Sequence, residues 1–162
     1  MRLCLLRHAI AVEREGGGYK DDRARPLTAE GRKRTSEASA GLLRLLKPDA
    51  IFTSSVLRAR QTADILGRAC EIRPRELEAL GRGDHDGTVA ALQPGGTQTV
   101  VLVGHEPWMS ELLSMLLCGQ PQAVQSDFKK SAAAITECDG APAFGNFRLV
   151  AFLPPAVLRR MA

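Results

Sequence analysis

Residues 99–107 read TVVLVGHEP, with four consecutive aliphatic side chains ahead of a glycine. A strand-length run with no polar alternation has no face to show to water. It fits a strand covered on both sides, as in a parallel sheet between helical layers. Leu3-Cys4-Leu5-Leu6 and Ala50-Ile51-Phe52 are two more runs of this kind. The intervening segments have helical spacing. Thr28 can cap a helix to about Leu46 with Ala38, Leu42, Leu45 and Leu46 on one face, ended by Pro48. Ser54 or Ser55 can cap a second, marked by Ala59, Thr62, Ala63 and Leu66, and a third is expected from about Pro107 to Leu117. A short strand interrupted by Pro74 is expected in 70–77, a short helix in 85–93 before Pro94 and two glycines, and later strands at 131–137 and 147–153. Residues 9–27, rich in glycine and charge, read as a long surface loop, and loops of that length are often functional. Alternating strands and helices give an α/β class, three layers deep, with a mostly parallel central sheet and no insertion long enough for a large lid.

The 162 residues fit one domain, 1–162, and 44% apolar content suffices for a core built mainly from Leu, Val, Ile and Ala, since aromatics reach only 4%. The net charge of +4 favours anionic partners. Scattered aromatics offer no stacking platform, so nucleic acid is not expected as a partner. Cys4, Cys70, Cys118 and Cys138 are far apart, form no CxxC pair, and join no histidine at zinc-ligand spacing. Free thiols, a cytoplasmic location, no membrane association, and no metal or cofactor are the corresponding expectations. No heptad run is left over to build an interface, so a monomer is expected.

In open parallel sheets, ligands bind beyond the carboxyl ends of the strands. The first strand ends in Arg7-His8, the second leads into a helix whose first turn carries Arg58, and the third ends in Gly104-His105. Burying a cation or an imidazole without a partner is costly, so their placement after apolar runs needs a reason. Permanent planar cations suit phosphate oxygens, and helix N-termini add backbone donors. Two arginines and two histidines at one sheet edge suit a dianion such as a phosphoryl group. An imidazole nitrogen attacking phosphorus is the simplest chemistry that needs no metal. Taken singly, each residue also fits a hydrogen-bonded strand-end histidine or a solvated arginine.

The blocks LLRHAIA, ARPLTAEGRKR, IFTSSVLRARQTADIL and VVLVGHEP occur in the order of the histidine phosphatase (phosphoglycerate mutase-like) superfamily, and the chain resembles its small SixA-type phosphohistidine phosphatase branch. The resemblance implies His8 as the nucleophile that forms a phosphohistidine intermediate, Arg7 and Arg58 as phosphate clamps, and His105 as the second histidine. It implies Arg25 as a further phosphate ligand reaching in from the loop, with Arg23 as a near competitor. Arg58 rather than Arg60 matches the family pattern S-x-x-L-R-A-x-Q-T, here Ser54 to Thr62. Ala9 departs from the family's usual Arg-His-Gly, and a Cβ there could hinder a backbone conformation open to glycine. Larger relatives use a carboxylate to protonate the leaving group, for which Glu78 and Asp84 are the candidates. His85 reads as a solvated loop residue, and Glu106 as a helix cap.

The implied activity is a metal-independent phosphatase acting on a phosphorylated protein, with phosphohistidine the expected substrate. A sugar or nucleotide phosphomonoesterase, or a catalytically silent phosphoprotein-binding module, are the alternatives.

Overall fold

The computed structural model describes residues 1–14, 18–92 and 99–162. The centre of the expected loop (15–17) and the Pro94-Gly95-Gly96 break lie outside these residues.

The strands are β1 (Arg2–Arg7), β2 (Ala50–Thr53), β3 (Arg75–Glu76), β4 (Thr99–Gly104), β5 (Ala133–Glu137) and β6 (Arg148–Leu153), joined in one sheet of order β3-β2-β4-β1-β5-β6. β1 to β4 pair in parallel, while β5 and β6 are antiparallel additions on one side. The helices are α1 (Ala29–Leu43), α2 (Leu57–Cys70), α3 (Glu78–Arg82), α4 (His85–Ala90), α5 (Trp108–Cys118) and α6 (Pro155–Arg160).

Side chains alternate across a strand, so β1 sends Leu3 and Leu5 to one face and Cys4 and Leu6 to the other. Leu3 and Leu5 join Leu102, Leu112, Leu116 and Phe128 beneath α5, and Leu80 and Val89 of α3 and α4 extend that layer. Cys4 and Leu6 join Val101, Val103 and the inner faces of α1, α2 and α6. The three-layer α/β/α expectation therefore holds, as does burial of the central strands on both faces. Each fully buried leucine contributes about 1.5–3 kcal/mol, which anchors β1 and β4 firmly enough to carry polar residues at their ends.

Thr28 caps α1 by accepting from the Gly31 N–H at 2.9 Å. Ala38, Leu42 and Leu46 are buried as expected, but Leu45 is not, because the helix stops at Leu43 and the backbone turns. Gly31 lets α1 approach the strand-end segment closely: a Cβ there would stand 2.1 Å from the Ile10 carbonyl oxygen.

Other expectations need correction. Neither Ser54 nor Ser55 caps α2; Val56 occupies the N-cap without a side-chain bond, leaving Ser55 free to accept from Arg23 at 2.7 Å. The strand expected over 70–77 shrinks to the two residues of β3, immediately after Pro74. The short helix expected over 85–93 is present as α4, and an unexpected one, α3, precedes it, separated from it by Gly83 at φ +73° and by Asp84, which caps α4 through the Gly87 N–H. The terminal helix α6, opened by Pro155, was not foreseen.

Candidate active site

Parallel register brings the two histidines together. β1 and β4 pair with Arg7 opposite Gly104, so the next residues, His8 and His105, leave adjacent strands at the same height. The His8 N–H donates to the Gly104 carbonyl at 2.9 Å, and the ring centroids lie 6.3 Å apart at 55°. Arg58 comes from the first turn of α2, one strand further along. It is 9% exposed, and its Nε donates to His8 Nε2 at 3.3 Å.

The hydrogen bonds define the state of His8. Its Nδ1 lies 2.7 Å from the Ala9 carbonyl oxygen, which can only accept, so Nδ1 carries the proton. Nε2 therefore presents its lone pair towards Arg58. Burial is the largest influence on this ring and lowers its pKa. The Ala9 carbonyl opposes that, while the charges of Arg58, Arg7 and His105 add to it, and the pKa falls to about 3. His8 is a neutral imidazole at physiological pH. His105 is also lowered, by burial first and then by Arg58, against the opposing charge of Asp22.

Arg7 donates through one terminal nitrogen to the Phe128 carbonyl, while its Nε is buried with no hydrogen-bond partner among the described residues. The Nδ1 of His105 is likewise buried and unpartnered. Buried donors and acceptors of this sort are rare away from functional sites. Two neutral imidazoles among the guanidiniums of Arg7, Arg58 and Arg23 form a positive recess whose free polar atoms suit a tetrahedral oxyanion.

Arg25 is tied to the loop rather than to either imidazole. Its Nε donates to Asp22 Oδ1 at 2.8 Å and a terminal nitrogen donates to the Val12 carbonyl at 2.6 Å. Arg23 is the loop arginine whose charge reaches His105. Asp22, not anticipated from the sequence, links the loop to the site: Arg58 donates to its carbonyl at 2.8 Å and to Oδ2 at 3.0 Å. Burial works to raise the Asp22 carboxyl, but the hydrogen bond from Arg25 and the charges of Arg58 and Arg25 outweigh it and hold the pKa below its ordinary value.

Thr62 was also missed as more than a helix-face residue. Its hydroxyl accepts from the Ala9 N–H at 3.0 Å and donates to the Arg58 carbonyl at 2.7 Å, tying the segment after His8 to the helix that carries Arg58. A threonine repeating at helical spacing gives no hint of that bridge.

Ala9 is explained by the same geometry. It is fully buried with Ala11 and Leu27, and its φ is not among the positive ones, so its conformation is open to any L-residue.

Glu78 and Asp84 are not at the imidazoles. The Glu78 side chain is 74% exposed and ion-paired with Arg82, and Asp84 caps α4. His85, read as a solvated loop residue, instead stacks on Trp108 with ring centroids 5.3 Å apart and interplanar angle 1°. Glu106 does cap α5, accepting from the Ser110 N–H at 3.3 Å, and it also accepts from the Phe128 N–H at 3.2 Å, which holds the carbonyl that Arg7 uses.

The sequence profile of the histidine phosphatase superfamily (branch 1) matches residues 3–88. An uncharacterized protein of Picosynechococcus sp. is 38% identical over 127 residues, 74% of this chain and 75% of its own length. Among solved structures, a protein of Agrobacterium tumefaciens assigned as a phosphohistidine phosphatase SixA is 29% identical, with a TM-score of 0.72 over 95% of this chain and 97% of its own. The protein histidine phosphatase SixA complexed with tungstate shares the fold at a TM-score of 0.82 and 24% identity, over 96% and 98% of the two chains. The fold is shared at lower identity (20%) by a mycobacterial glucosyl-3-phosphoglycerate phosphatase, TM-score 0.70, over 94% and 98%. The profile spans β1 and α2, which supply Arg7, His8 and Arg58, and the register of β4 adds His105 from outside it: the chain belongs to the histidine phosphatase superfamily and is a phosphatase.

Proposed function

We propose that the protein removes phosphoryl groups from histidine residues of other proteins, with His8 as the nucleophile. The observation that carries this reading is the state of His8, neutral, protonated on Nδ1, with the Nε2 lone pair free of a proton and turned to Arg58. In the first step Nε2 attacks phosphorus and the bond from phosphorus to the substrate nitrogen breaks. The departing imidazole leaves with the proton it already carries. Arg58 and Arg7 balance the charge on the phosphoryl oxygens, and the Ala9 carbonyl supports the positive charge that His8 acquires once both its nitrogens are substituted. In the second step water attacks the same phosphorus, the bond to Nε2 breaks, and the water's protons pass to phosphate and solvent.

The placement of the carboxylates favours a nitrogen-linked phosphate. An alkoxide leaving group needs a proton from a nearby acid. Glu78 stands in solvent on Arg82 and makes no hydrogen bond to either imidazole. SixA-type structural neighbours point the same way.

A small-molecule ester is the second reading. A groove of about 540 Å³ is lined by Arg23, whose charge reaches His105, with Ser55, Leu77 and Glu78, and it is of a size that holds small ligands. There Glu78 could face a bound ester.

The test compares a phosphohistidine peptide with a sugar phosphate and a nucleotide, all in EDTA, for wild type and His8→Ala. Faster turnover of the peptide, an acid-labile phosphoenzyme and loss of both in His8→Ala are expected. Wild-type rates in His8→Ala would overturn the nucleophile, and preference for a small ester would favour the second reading.

A further inference from the structure

We propose that the surface beside His8, on the α1 and α6 side, docks an acidic segment flanking the phosphorylated residue of a protein substrate; this rests on the protein-phosphohistidine reading of the site. The feature that draws attention is a strained turn. Ser131 has φ +65°, in the left-handed region that costs a non-glycine residue about 1 kcal/mol or more. Its N–H donates to the carbonyls of Arg7 (3.2 Å) and His8 (3.3 Å), and its hydroxyl lies 3.2 Å from that of Thr35 on α1. The Ala132 N–H closes the turn onto the Lys129 carbonyl at 2.7 Å. The turn is therefore fastened to the strand end that carries the nucleophile.

That turn presents Lys129 and Lys130, both exposed and neither in an ion pair among the described residues. They rim a groove of about 350 Å³ with Arg34 and Arg159, over a floor containing Ile10 and Pro155. Arg34 is shared with Glu30, and Arg159 lies 3.9 Å from Glu37, so the uncompensated charge belongs to the lysines. Asp127, two residues before Lys129, is the nearest acidic side chain in sequence. Ile10 follows His8 by two residues, so the groove begins where residues flanking a bound phosphohistidine would pass. A free phosphate ester does not extend that far, whereas a polypeptide does. Cations around an apolar floor suit glutamates and aspartates beside apolar residues, and such rim charges act mainly on encounter and apparent affinity.

The experiment uses two synthetic peptides, each with one phosphohistidine, flanked by glutamates in one and lysines in the other. Wild type is expected to show a KM about tenfold lower for the acidic peptide at low ionic strength, a preference that shrinks at 0.5 M salt, about a 4 Å screening length. In Lys129→Glu/Lys130→Glu the preference should vanish while turnover of p-nitrophenyl phosphate stays within about twofold. Lys130→Gln and the wild-type peptide comparison carry the test if the double reversal does not fold. Equal KM values for the two peptides on wild type, or a preference that survives the double reversal, would overturn the docking surface. Turnover of p-nitrophenyl phosphate with neither peptide cleaved would overturn the substrate reading beneath it. Competition by a single-stranded oligonucleotide on wild type but not on the double variant would assign the face to nucleic acid and also overturn the proposal.

Discussion

Thr62→Val isolates the bridge between the segment after His8 and the helix that carries Arg58, the proposed nucleophile and phosphate clamp. Valine keeps the branched shape of threonine and replaces the hydroxyl with a methyl group. Ala9 is fully buried, so its N–H is left without a partner, at a cost of about 1–3 kcal/mol. A chain of this size loses roughly 2–4 °C of Tm per kcal/mol, so a 2 kcal/mol loss lowers Tm by roughly 4–8 °C. The catalytic consequence is separate. Without the tie, the 3.3 Å approach of Arg58 Nε to His8 Nε2 is no longer enforced, and misplacement of about 1 Å can cost a hundredfold, so kcat/KM should fall roughly ten- to hundredfold. Thr62→Ser is the control: it keeps both hydrogen bonds, loses one methyl at about 1 kcal/mol, and should stay within about threefold of wild type. The assay is p-nitrophenyl phosphate turnover at a temperature where thermal melts show all three proteins folded. Equal turnover by the valine and serine variants there would refute the argument, whatever their Tm values.

Two further predictions concern the same loop. Ala9→Gly, which restores the family's usual residue, should destabilise by about 0.5–1 kcal/mol and leave kcat unchanged, because the backbone conformation at position 9 does not require glycine; a clear gain in kcat would show that the Cβ hinders the site. Stability should fall on acidification through the histidines. Burial lowers His8 to about 3 and also lowers His105, so the unfolded chain takes up these protons first. Each contribution is complete above the unfolded value of about 6.5 and is lost as the pH falls below it, for His8 down to about 3, at up to about 1.4 kcal/mol per pH unit. Urea midpoints between pH 7.5 and 5 should slope less steeply in His8→Gln than in wild type, and identical slopes would contradict the assignment.

The sequence by itself determined the layered class, because apolar runs such as 100–103 leave a strand no face for water. It also singled out Arg7, His8, Arg58 and His105 as candidates, because polar residues that end buried strands need partners, and the order of the motifs named the family. It could not set the register of β1 on β4, which places the two imidazoles 6.3 Å apart. Nor could it assign the loop arginines: Arg23 and Arg25 look alike in one dimension, and only the fold shows Arg25 bonded to Asp22 and Val12 while Arg23 donates to Ser55 and its charge reaches His105. Thr62 and the Lys129–Ser131 turn were hidden for the same reason. Their meaning lies in hydrogen bonds to residues 53 and more than 120 positions away. Local pattern dictates which faces are buried, but only tertiary packing decides which distant polar groups meet.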